Sequence, residues 1–279
     1  MRTVRKIGVI CGGSGSSKFG RAIADYSEHG EKIDAGYIAN VADNFWYHGM
    51  YVCPDVDILT YALSGYLDTS KGWGTKDDAF LLKKGLSLVS GTQQWFGLGD
   101  FDSAISLERT ELLNKGWTLS SVTNHFCKML GVNYPVVPVS DDTITTFIHT
   151  TRGRMHLQEY WVKHKADAEV TGVEHFGAEN ARPNAQALNY LSSHAIICPA
   201  NPITSILPSI KIKKIEQTLS RSKVVAISPF VGDAPFSGPA GKLMKAISIE
   251  TNSFGVAKLY SKFLDTILWV TTTMSSFLI

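Results

Sequence analysis

Apolar residues come along this chain in short blocks that switch between two periodicities. Lys6-Ile7-Gly8-Val9-Ile10-Cys11 is an apolar run of strand length, and beyond it Phe19, Ala22, Ile23 and Tyr26 recur at helical spacing. Between them lies Gly12-Gly13-Ser14-Gly15-Ser16-Ser17-Lys18, so the predicted order is strand, glycine loop, helix. Residues 33–39 read as a second strand, 57–67 as a helix, and 71–100 as a polar segment rich in Gly and Trp. Residues 108–115 and 120–130 have amphipathic helical spacing, with Ser120 as the expected N-cap. A strand is predicted over 134–139, and 145–151 with 155–162 flank Arg152-Gly153 as a hairpin. Residues 195–198 and 224–227 are buried strands opening into the polar loops Pro199-Ala200-Asn201-Pro202 and Ser228-Pro229. Open α/β sheets place ligands at such carboxyl ends. The pattern predicts an α/β fold: a Rossmann-like three-layer core with a mostly parallel sheet, an inserted helical region at about 65–130 and a hairpin, all in one domain over 1–279.

Composition narrows the function classes. With 279 residues, 44% of them hydrophobic, the chain can bury an enzyme-sized core. A net charge of +2 without a basic stripe argues against nucleic-acid binding. Cys11, Cys53, Cys127 and Cys198 form no Cys-x-x-Cys pair, so neither a zinc site nor a disulfide framework is indicated. They read as buried thiols in a reducing, cytoplasmic setting. No apolar run reaches membrane-spanning length and no signal peptide precedes the first strand.

Two segments carry candidate chemistry. Pro54-Asp55-Val56-Asp57 follows Asn40-Val41-Ala42-Asp43-Asn44-Phe45-Trp46 at short range. Hard cations such as Mg²⁺ prefer carboxylate oxygens and water, and two carboxylates one residue apart converge on one ion at a strand or loop edge. A solvated acidic turn is the plainer alternative. The glycine loop lets backbone approach an anion, and the helix behind it presents free N–H groups. It matches neither Gly-x-x-x-x-Gly-Lys nor Gly-x-Gly-x-x-Gly, and a tight packing turn is its alternative. Of the eight histidines, which form no ligand cluster, His48 lies nearest the acidic segment.

Several motifs occur in one order: Gly12-Gly13-Ser14-Gly15, Asp43-Asn44-Phe45-Trp46-Tyr47-His48-Gly49, Cys53-Pro54-Asp55-Val56-Asp57, Gly72-Trp73-Gly74, Trp95-Phe96-Gly97-Leu98-Gly99-Asp100, Ser140-Asp141-Asp142, Asn201-Pro202-Ile203-Thr204-Ser205-Ile206 and Ser237-Gly238-Pro239-Ala240-Gly241-Lys242-Leu243-Met244. In this order the chain, to about Phe263, resembles the 2-phospho-L-lactate transferase family. The resemblance implies a Rossmann-like fold, Mg²⁺, a homodimer and a role in coenzyme F420 biosynthesis. The implied reaction moves a phospholactyl-type group from a guanosine diphosphate-linked donor to 7,8-didemethyl-8-hydroxy-5-deazariboflavin and releases GMP.

On that resemblance Asp55 and Asp57 hold Mg²⁺ on the diphosphate, and either takes the attacking hydroxyl's proton. Gly12, Gly13, Ser14, Gly15 and Lys18 cradle phosphate. Asn201, Thr204 and Ser205 offer donors to guanine, ribose or phosphate, or merely cap the next helix. Trp46 stacks on the deazaflavin or anchors the core. Asp43, His48, Asp100, Asp141 and Asp142 are further nucleotide or substrate contacts, Asp141-Asp142 with an N-cap as the alternative. Two departures stand out. Phe101 occupies a position where the family usually shows arginine, with Arg109 as a candidate replacement cation. The apolar tail from Leu268 to Ile279 lacks the family's further acidic segment, and exposed core surface is expected there. A non-catalytic regulator of the gluconeogenesis-factor type and an inactive paralogue are the other readings. Pro54-Asp55-Val56-Asp57 and 237–244 favour the transferase.

Overall fold

The structure, a computed structural model, describes residues 5–30, 32–232, 234–235 and 238–270. Ser237 and the tail beyond Val270 lie outside the described residues. The chain opens with strand β1 (Arg5–Cys11), helix α1 (Gly13–His29) and strand β2 (Ile33–Ala39), then a ribbon of β3 (Phe45–Tyr47) and β4 (Met50–Val52). Helices α2 (Pro54–Ser64), α3 (Leu81–Ser90), α4 (Asp100–Asn114) and α5 (Leu119–Met129) lead to β5 (Val136–Pro138). Strands β6 (Thr145–Thr150), β7 (Gly153–His156) and β8 (Val170–Phe176) form a small antiparallel sheet. The second half follows with α6 (Ala185–Leu191), β9 (His194–Ile197), a π-turn at Pro202–Ile206, α7 (Leu207–Ile210), α8 (Lys213–Leu219), β10 (Lys223–Val231), β11 (Ala234–Pro235), α9 (Ala240–Ala246), α10 (Ser253–Leu259) and β12 (Thr266–Val270).

The main sheet runs β11-β10-β9-β1-β2-β5, with β12 also on β10, and every pairing in it is parallel except β10 with β11. The predicted Rossmann-like α/β core is therefore present. Its central strands are buried on both faces, which is why Val9, Ile10, Tyr37 and Ile38 are apolar without alternation, whereas β10 alternates and β12 is largely exposed. Chain order reverses direction across β1: β2 lies on one side of it and β9 on the other. A crevice opens at the carboxyl ends of strands that diverge in this way.

Several elements differ from the sequence pattern, each for a local reason. Helix α2 begins at Pro54 instead of Asp57: proline is pre-set for the first helical position, and Asp55 and Asp57 in the first turn suit the helix dipole. It stops at Gly65, whose φ of 81° is left-handed. Helix α3 lies inside the segment read as polar, and its first N–H groups at Leu81 and Leu82 are capped by the Asp100 carboxylate at 3.1 and 3.0 Å. Helix α5 is capped by Thr118, whose hydroxyl accepts from Ser121 N, and not by Ser120. The second hairpin strand ends at His156, and β8, unread in the sequence, completes that sheet. Part of the apolar tail forms β12, paired with β10 at Val225–Ile227.

Candidate active site at the carboxyl ends of the sheet

The loops after β1, β2 and β9 meet in the crevice. Gly12 has no room for a side chain, since a Cβ there would stand 2.6 Å from Ser205 Cβ and 2.7 Å from its carbonyl oxygen. Gly15 is tighter, because its Cβ would lie 2.2 Å from Pro199 O. Gly15 thus also meets a packing requirement of α1 against the β9 loop. Gly15→Val should cost at least about 3 kcal/mol and abolish donor and acceptor binding together, seen as a fall in Tm with parallel loss of both affinities. Ser14 and Lys18 are exposed on the first turns of α1, with Lys18 beside the Gly72 turn.

Asp55 sits in the first turn of α2 and faces this loop. Its Oδ1 accepts from Gly13 N at 2.8 Å, and its Oδ2 accepts from Asn40 Nδ2 at 2.8 Å. The same amide reaches Asp43 Oδ1 at 3.2 Å and Thr204 O at 3.3 Å. Asn40 follows β2 directly, so one side chain joins the β2, α2 and β9 segments. Asp43 and Asp55 are 6% and 5% exposed. Burial pushes the Asp55 carboxyl up to about 6, against the hydrogen bonds from Asn40 and Gly13. Asp43 is also raised, by burial first and then by the charge of Asp55.

Asp57 does not join them. Residues two apart on a helix are turned about 200° from each other, so Asp55 and Asp57 diverge where an extended segment would have aligned them. Asp57 is ion-paired with Arg109 of α4, a buried guanidinium that also donates to Tyr51 O at 3.1 Å. Burial raises the Asp57 carboxyl, and Arg109 opposes that rise. The expected Asp55–Asp57 convergence is therefore corrected to Asp43–Asp55. Arg109, 1% exposed and committed to Asp57, is not a surface cation replacing an arginine at Phe101. Phe101 itself packs on Tyr66, stacked at 5.7 Å, and on Tyr61.

Other expected contacts have different partners. Asp100 caps α3, and Asp141 accepts from Ser120 N at 2.7 Å. Asp142 pairs with Arg182 at 2.8 Å. His48 lies at the tip of the β3–β4 ribbon and contacts Gln94 at 2.6 Å. Trp46, 60% exposed, packs beside Tyr51. Asn201 caps the π-turn, its Oδ1 accepting from Ile203 N and Thr204 N at 3.0 and 3.3 Å. Thr204 and Ser205 are at the crevice, through the carbonyl to Asn40 and the contact with Gly12. Asn40 was not singled out by sequence spacing, although a polar residue just after a central strand is the signal that finds it. Asp102 was also missed: it is pushed up to about 6 by burial and then by the charge of Asp57.

The donor set suits a hard cation. Neither Asp43 nor Asp55 has a basic neighbour shaping its titration, and one amide serves both. Among the described residues no three His, Cys, Asp or Glu side chains form a ready cage. Mg²⁺ is characteristically bound by one or two carboxylates with water and substrate phosphate completing the shell. The pair has a measurable signature without metal. Because the folded Asp55 pKa of about 6 exceeds the ordinary 3.8, the folded state takes up a proton between those values. Stability withheld at neutral pH then returns as pH falls through 6. In chelator, Tm of the native chain should rise relative to Asp55→Asn between pH 7 and pH 5, and a flat difference would exclude the shift.

A mostly parallel sheet with a glycine turn and a buried acidic pair at its switch point defines an α/β protein of Rossmann-like architecture with its candidate site at the carboxyl ends of the strands. The family described as 2-phospho-L-lactate transferase CofD matches residues 7–278, and the chain belongs to that family of transferases, which implies F420 biosynthesis. The chain is 36% identical over 234 residues to a 2-phospho-L-lactate transferase of Methanospirillum hungatei, covering 83% of this chain and 78% of that one. It is 35% identical over 263 residues to a phosphoenolpyruvate transferase of Streptomyces griseus, covering 91% and 82%. Among solved structures, a Bacillus halodurans protein of the UPF0052 family shares the fold, with a TM-score of 0.57, 17% identity, and coverage of 96% of this chain and 81% of that one. Among the described residues no helix is long and apolar enough to cross a membrane.

Proposed function

We propose that the chain transfers a phospholactyl-type group from a guanosine diphosphate-linked donor to the ribityl hydroxyl of 7,8-didemethyl-8-hydroxy-5-deazariboflavin, releasing GMP. The carrying observation is the Asp43–Asp55 pair held against the glycine turn in the crevice between β1 and β9. Converting a phosphoanhydride to a phosphodiester demands charge neutralisation and in-line positioning more than covalent catalysis. Asp43 and Asp55 are the residues that would hold Mg²⁺. That ion would supply neutralisation of the diphosphate. With the Gly12 and Gly13 N–H groups taken by Ser16 and Asp55, the backbone offered to phosphate would be that of the following residues in the first turn of α1, and Lys18 adds an exposed positive charge beside it. Asp55, whose carboxyl burial pushes up to about 6, is also a stronger base than an ordinary carboxylate and suited to accept the hydroxyl proton. A homodimer in the cytoplasm is the expected form, checked by sedimentation.

The deciding experiment is mass spectrometry of reactions containing the deazaflavin precursor, Mg²⁺ and a guanylylated phospholactate, phosphoenolpyruvate or phosphoglycerate donor. A product from one donor, with GMP, supports the reading. Absence of product from all three sinks it, and tight GDP binding without turnover would instead favour a non-catalytic regulator.

A further inference from the structure

The turn after β9 has a backbone deficit created by a proline. Pro208 carries no N–H, and in the π register in which Leu207 N donates to Pro202 O it is Ile203 O, five residues before Pro208, that loses its donor. Two distant side chains reach the carbonyls of this turn. Asn40 Nδ2 reaches Thr204 O at 3.3 Å, and His175 Nε2 reaches Ile203 O at 2.8 Å. A carbonyl only accepts, so Nε2 carries the proton. Burial favours the neutral ring: His175 is 8% exposed, and desolvation, followed by the charge of Lys211, pushes its pKa down to about 4. Its Nδ1 is buried without a partner, leaving the bond to Ile203 as the ring's one protein hydrogen bond.

The consequence reaches the glycine turn. Ile203 is two residues from Ser205, and Ser205 fills the space that a side chain at Gly12 would need. Across the strand pair from His175 is Thr146, whose N–H donates to Ala42 O at 2.8 Å beside Asp43. The small sheet therefore touches both halves of the crevice. We propose that His175 is a positioning residue for the nucleotide donor, fixing the π-turn so that Ser205 closes on Gly12. This rests on the reading that the glycine turn handles the donor's phosphates.

The test compares His175→Leu, which keeps bulk but removes the donor, with His175→Gln, whose amide N–H restores it. A third variant adds Pro208→Ala to His175→Leu, returning a backbone N–H to the turn. Hydrogen exchange of peptides covering 201–207 and 12–17 is read beside titration with GDP in Mg²⁺. His175→Leu should exchange faster in both segments and bind GDP about tenfold more weakly. His175→Gln should return both readings toward the native values, and Pro208→Ala should recover part of the loss. Native exchange in His175→Leu overturns the proposal. So does uniformly faster exchange along the whole chain in both His175 variants, which marks a general fold role. If the native chain fails to bind GDP, the functional reading falls, while the exchange pattern still decides whether His175 holds the turn.

Discussion

Asp55→Asn is expected to lower turnover about 10²–10³-fold while the chain stays folded. The carboxylate faces the crevice, shares the Asn40 amide with Asp43, and has no ion-pair partner to leave stranded. Asparagine keeps its size and removes a buried charge but sets an NH₂ against either the Gly13 N–H or the Asn40 amide, so stability at neutral pH should fall by about 1–3 kcal/mol, short of unfolding. Mg²⁺ affinity should fall with turnover, since a carboxylate ligand is lost. Steady-state rates across a Mg²⁺ titration, with Tm measured on the same samples, separate the two effects. Native turnover in Asp55→Asn would remove this carboxylate from the mechanism, and unfolding would recast it as structural.

Arg109→Met should have the opposite profile. It leaves Asp57 buried without its counter-ion and Tyr51 O without a donor, which costs about 3–5 kcal/mol. For a chain of this size that corresponds to a fall in Tm of roughly 6–10 °C. Asp57→Asn should also destabilise, because the guanidinium is then the stranded group. Combining Arg109→Met with Asp57→Leu should recover much of the loss, as a buried pair is commonly replaceable by apolar residues of similar volume. Urea midpoints for the singles and the double measure the coupling. Additive losses would show that Asp57 and Arg109 do not act on each other.

These contrasting outcomes trace how far the sequence reaches. The first strand, glycine turn and helix were legible because apolar spacing changes from strand to helix across the glycines, and β2 ends where its apolar run ends. The candidate cation pair was misread because an Asp-x-Asp spacing aligns two carboxylates on a strand and separates them on a helix. Pro54 held the correcting signal, being favoured at the first position of a helix. Asn40 and His175 come from distant segments, and their meeting at Thr204 and Ile203 depends on strand order and on Pro208. Asp100, Asp141 and Asp142 matched motifs but serve as a cap or partner to nearby backbone and Arg182, a distinction that needs coordinates.

Helix α2 carries two unlike duties on one turn. Saturation mutagenesis along it, scored once for product formation and once for cellular abundance, should give two traces out of phase. The activity trace should dip at Asp55, and the abundance trace at Asp57 and at Tyr61, which is buried one turn further along the same face. The offset follows from 3.6 residues per turn. Helix geometry would thus appear directly in a phenotype, and a lineage that lost catalysis would drift first along one face of α2 while the other stayed fixed.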